Sequence, residues 1–120
     1  MTPHLANLMR TGGLLLLSNA FMTAAWYGHL KFRHAPLWMA VLASWLLALP
    51  EYALQVPANR WGYANPSASL SATELKILQE CITLIVFLAF AWLWLGETPN
   101  LRQAGSLVLI LAAAALAFWK

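Results

Sequence analysis

Four apolar runs separated by short polar breaks organise this sequence, and each run is long enough to cross a lipid bilayer as an α-helix. The first covers 12–32, the second 37–56, the third 72–95 and the fourth 101–119, after a polar tail at 1–11. Leu75 to Leu95 alone would reach about 31 Å at about 1.5 Å per residue, the thickness of a hydrocarbon core. The expected fold is therefore an all-α membrane protein of four transmembrane helices in one domain, 12–120.

The breaks carry their own signals. Gly28 to Pro36 is a short basic turn, and Pro36 suits a helix start because a first-turn N–H has no helical partner to lose. Pro50 falls inside the second run and should kink it, followed directly by Glu51. Pro57 to Thr73 reads as the one long loop, closed by Ser71-Ala72-Thr73-Glu74, a capping box with Ser71 as N-cap. Gly96 to Asn100 is a tight turn. A cleaved signal peptide is the rival reading of the first run, since Arg10 precedes a Leu-rich core. It fits less well: the run does not end at Thr23-Ala24-Ala25, and cleavage would leave an odd number of spans.

Composition supports the membrane reading. The chain has 120 residues, 62% hydrophobic and only 9% charged, against about 25% charged in ordinary soluble domains. Seven Lys/Arg against four Glu give a net charge of +3. The basic residues Arg10, Lys31, Arg33, Arg60, Arg102 and Lys120 sit at the edges of apolar runs. That spacing suits lipid headgroups and speaks against a nucleic-acid partner. Trp26, Tyr27, Trp38, Trp92, Trp94 and Trp119 lie near the predicted span ends, as an aromatic belt requires. Cys81 is the single cysteine, which excludes an intrachain disulfide. His4, His29 and His34 have no metal-triad spacing, no catalytic triad or phosphate-binding glycine loop is present, and no cofactor, metal or enzymatic activity is expected.

Four spans put Arg10, Arg60, Lys76 and Lys120 on one side and Lys31, Arg33 and Arg102 on the other. Four basic groups against three leave positive-inside steering nearly balanced. Two readings stay open: insertion in both orientations with antiparallel pairing, or a small margin for the N-terminus inside.

Charges at membrane depth are costly and mark candidate sites. Glu51 and Glu80 are expected about five residues inside the second and third helices, from the same face, where they could share a pocket. Gln55 follows Glu51 by one turn, Lys76 precedes Glu80 by one turn, and Gln79 and Thr83 extend that stripe. Asn19, with Ser18 beside it and Thr23 one turn on, offers similar groups from the first helix. Glu80, Glu51, Asn19, Gln55, Gln79 and Lys76 then form a candidate substrate or proton site, with Trp26 and Tyr27 as aromatic faces for a cation. The competing reading pairs Lys76 with Glu80 along one helix and lets Glu51 reach the interface.

The strings Ser18-Asn19-Ala20-Phe21-Met22-Thr23-Ala24-Ala25-Trp26-Tyr27-Gly28-His29, Glu51-Tyr52-Ala53-Leu54-Gln55-Val56-Pro57-Ala58-Asn59-Arg60-Trp61-Gly62-Tyr63 and Leu75-Lys76-Ile77-Leu78-Gln79-Glu80-Cys81 resemble a small bacterial four-helix family, number 486 in the domain-of-unknown-function series. That family is similar to the drug/metabolite transporter superfamily. Leu95-Gly96-Glu97 and Arg102-Gln103-Ala104-Gly105 resemble the superfamily's closing turn and helix. The resemblance implies a small-multidrug-resistance-like bundle that works as a dimer and exchanges protons for cations. Those proteins carry their essential carboxylate in the first helix, whereas here that helix offers Ser18, Asn19 and Thr23. Glu51 or Glu80 would have to serve instead.

The expected function is transport of a small polar or cationic solute, possible proton coupling included, by a homodimer in the cell membrane, the inner membrane if the source is Gram-negative. The alternative is a scaffold or accessory subunit that binds another membrane protein through its polar stripe.

Overall fold

The computed structural model describes residues 2–65 and 70–119. Residues 66–69, part of the expected loop, and Lys120 lie outside them. The described residues form four helices: α1 (Pro3–Tyr27), α2 (Leu37–Ala64), α3 (Ala72–Phe90) and α4 (Leu101–Ala117). A 3₁₀ turn, Gly28–Phe32, leads from α1 towards α2, and a π-helical turn, Ala91–Leu95, prolongs α3.

Two boundaries correct the sequence reading. The expected tail at 1–11 is helical from Pro3, because Thr2 accepts the Leu5 N–H on its hydroxyl at 3.1 Å and Pro3 is preorganised for a first turn. α2 does not stop at 56 but runs through Pro50 and Pro57 to Ala64. A proline removes one helical hydrogen bond, and within a helix packed on neighbours that loss is tolerated. Glu51 therefore stands at mid-helix, about 21 Å from the start of α2 and about 20 Å from its end.

The capping box that opens α3 is present, with Glu74 N–H on Ser71 Oγ and Ser71 N–H on a Glu74 carboxyl oxygen, both at 3.0 Å. Asn100 and Gln103 form a second box at the start of α4, at 2.9 and 3.0 Å, which the sequence reading took only as a turn. The π-helical turn ends where Gly96 adopts φ +70°, a left-handed conformation that glycine reaches without a Cβ clash.

α1 is the central element, packed on α2 along its length and on α3 beside it, while among the described elements α4 touches α3 alone. The result is a slab of 50 × 35 × 21 Å with a radius of gyration of 16.1 Å, above the about 14 Å of a globular chain this long. Its interior is half polar. Leu15, Ala25, Ala58, Leu70, Leu75 and Ala91 are buried beside Asn7, Thr11, Ser18, Asn19, Thr23 and Glu51. Leu16, Trp38, Val41, Trp45, Ile85, Leu93, Leu109 and Leu116 face outward. Water would penalise such a surface and lipid tails would not. Two stretches, Leu37–Ala64 and Ala72–Leu95, are long and apolar enough to cross a membrane.

Candidate functional site

The buried face of α1 repeats at helical spacing through Asn7, Thr11, Leu15, Ser18 with Asn19, and Thr23. At its lower end α1 and α2 approach closely at Gly62. A Cβ there would come within 3.0 Å of Thr11 and of Leu75. The Gly62 carbonyl belongs to the last turn of α2, where helical donors run out, and it accepts Asn7 Nδ2 at 3.1 Å and Leu70 N–H at 2.9 Å. Arg10 donates to Asn7 Oδ1 at 3.2 Å and its guanidinium stands 5.8 Å over the Trp61 ring. Asn7 and Thr11 were assigned to the tail by sequence reasoning. Their spacing of four, continued by Leu15, was the signal of a longer helix.

Higher on α1 the polar stripe becomes a hydrogen-bonded cluster spanning three helices. Ser18 Oγ lies 2.8 Å from Gln55 Oε1, 3.3 Å from a Glu51 carboxyl oxygen and 3.2 Å from the Glu51 carbonyl. Gln55 Nε2 in turn donates to Gln79 Oε1 on α3. Beside this chain, Thr83 donates to Asn19 Oδ1 at 2.6 Å, and Asn19 Nδ2 donates back to the Leu15 carbonyl at 2.7 Å. Ser18 and Asn19 are fully buried and Glu51 is 6% exposed. The interlock follows from residue placement: Glu51, Gln55, Ala58 and Gly62 fall on one face of α2, and Gln79 and Thr83 on one face of α3.

Of the eight expected site residues, Asn19, Glu51, Gln55 and Gln79 come together at this cluster. Glu80 does not. It is half exposed and forms a 2.8 Å ion pair with Lys76, one turn away on the outer face of α3. The expected shared pocket of Glu51 and Glu80 is thus corrected. The lengthened α2 carries Glu51 deeper than Glu80, and the i,i+4 geometry satisfies Glu80 locally. Tyr27 meets Phe87 edge-on at 4.8 Å, whereas Trp26 lines a cleft with Glu51.

That cleft, 310 Å³ between α1 and the first half of α2, also has His29, Ser44, Trp45 and Tyr52 on its walls. Trp45 and Tyr52, absent from the expected site, stand seven residues apart on α2, as Ser44 and Glu51 do, so two adjacent stripes of that helix line the cleft. Towards the other end of α2 a second opening of 440 Å³ is lined by Arg60, Tyr63, Lys76 and Gln79. Glu51 borders the first opening, Gln79 the second, and Ser18 and Gln55 join them. Among the described residues no group of three or more His, Cys, Asp or Glu is placed to hold a metal ion.

Against known families, the one described as "Putative member of DMT superfamily (DUF486)" matches residues 11–118. No curated protein and no solved structure gives a match.

Proposed function

The chain belongs to the DUF486 family, assigned to the DMT superfamily, and from that membership we propose that it transports a small polar or cationic solute, coupled to protons through Glu51. The observation that carries the proposal is the chain Glu51–Ser18–Gln55–Gln79, which bridges three helices between openings towards opposite ends of α2. The Ser18 hydroxyl has one proton and three oxygen acceptors around it. A proton on Glu51 supplies the missing donor. A cation in the cleft supplies positive charge in its place, with Trp26 and Trp45 as aromatic faces. The two occupants substitute for one another, which is the requirement for exchange.

In this reading all four helices cross the bilayer. α1, 25 residues and about 37 Å long, hides its polar stripe against α2 and α3. α4, 17 residues and about 25 Å, spans with the help of its flanking turns. Two copies pair as a homodimer, parallel or antiparallel, and so close openings that a single chain leaves facing lipid. Glu80 and Lys76 pair on the outer face, Lys76 at the edge of the second opening, and neither takes part in coupling.

The test is proton flux in proteoliposomes of purified protein, driven by a panel of organic cations, amines and polar metabolites. Solute-dependent flux supports the reading. Silence across the panel from folded protein, with a membrane protein copurifying in stoichiometric amount, overturns it in favour of an accessory subunit.

A further inference from the structure

Beyond the Glu51 cleft lies a larger and almost wholly apolar chamber of 630 Å³, within the size range of ligand pockets. It is bounded by the end of α1, the turn after it, the first half of α2 and the end of α3. Ala24, Gly28, Ala35, Ala40 and Ala43 line it, so small side chains on facing elements leave a groove that the chain itself does not fill. Among the described residues no Asp, Glu, Lys or Arg lines it.

Trp94 forms one wall, placed by the π-helical turn. Its indole N–H donates to the Gly28 carbonyl at 3.1 Å, and its ring packs against Phe32 and Phe90 with centroids 6.1 and 6.4 Å away. The Lys31 ammonium stands 4.2 Å over that same ring. A fixed positive charge therefore sits beside an apolar groove, and its N–H donors remain available to an anion. Arg33 caps the same turn, and residues 28–36 contain no acidic side chain.

We infer that this chamber holds an acyl chain of an anionic phospholipid whose phosphate pairs with Lys31 and Arg33. A groove open to the bilayer is filled by what surrounds it, which is lipid tail, and a basic turn at its rim selects a negative headgroup. The inference needs membrane embedding but not transport. A failure of one leaves the other standing.

The test is native mass spectrometry of the purified full-length protein with phosphatidylglycerol or phosphatidylcholine of the same 16- to 18-carbon tails. Phosphatidylglycerol should be retained on the order of tenfold better, and Lys31→Gln, at an exposed turn, should reduce that preference about fivefold. Ala43→Phe, which fills the groove, should weaken both lipids. Dihexanoyl phosphatidylglycerol should bind poorly and inorganic phosphate should not displace the long-chain lipid. Equal retention of the two headgroups, or equal binding of short and long tails, would overturn the inference. So would displacement of the lipid by a transported solute together with loss of transport in Ala43→Phe, because the chamber would then belong to the solute.

Discussion

The Ser18 hydroxyl on α1 lies 3.3 Å from a carboxyl oxygen of Glu51 on α2 and 3.2 Å from the same residue's carbonyl, so the one buried acid among the described residues is held from the helix opposite. Removing it takes away the one side-chain hydroxyl bonded to Glu51 among the described residues, and with it the link to Gln55. Ser18→Ala is expected to lower thermal stability in detergent by about 0.6 to 2 kcal/mol, the range of interhelical hydrogen bonds in membranes. It should also slow solute-driven proton flux. Unchanged stability and flux would show that the contact is idle.

Gly62 and Gly13 give a matched pair. A methyl at Gly62 meets Thr11 and Leu75 at 3.0 Å, whereas one at Gly13 meets nothing within 4 Å. Gly62→Ala should therefore destabilise by about 1 to 3 kcal/mol through overpacking. Gly13→Ala should be neutral or stabilising by up to about 1 kcal/mol, as helix propensity predicts. Thermal unfolding of both in the same detergent decides, and equal effects would contradict the close approach of α1 and α2.

Lys76 and Glu80 pair on the outer face in the first half of α3, where long side chains reach towards the headgroups, and an ion pair wetted there contributes about 0 to 1 kcal/mol. Lys76→Gln and Glu80→Gln should leave stability within that margin and preserve flux. Loss of flux in Glu80→Gln would return Glu80 to the coupling site.

On the proposed reading, in which all four helices cross the bilayer, the turn at 28–36 lies on the opposite side from the end of α2. In a Cys81→Ala background, Ala35→Cys and Asn65→Cys should react with an impermeant maleimide from opposite sides of sealed vesicles. Insertion in both orientations would show as partial labelling of each from either side. Complete labelling of both from one side would refute the topology.

Much of the fold was legible because apolar length and capping chemistry are local signals. The Ser71–Glu74 box appeared as expected, and the family resemblance extended to a match over residues 11–118. Helix ends were less legible. Pro57 reads as a stop by local rules, yet α2 passes through it, and Asn7 and Thr11 read as tail although Asn7 donates to the Gly62 carbonyl across the α1–α2 contact and Thr11 packs against Gly62. The site was half legible for the same reason. Spacing put Asn19, Gln55 and Gln79 on helix faces that meet in the structure, but the depth of Glu51 depended on where α2 ends. Trp45, Tyr52 and the apolar chamber needed three-dimensional packing to appear.

The central claim is that Glu51 couples the solute to the proton. Its most direct test compares solute-driven proton flux in proteoliposomes of wild-type protein, Glu51→Gln and Glu80→Gln, each shown to be folded. The account predicts flux in the wild type and Glu80→Gln and none in Glu51→Gln; flux that survives in Glu51→Gln would contradict it.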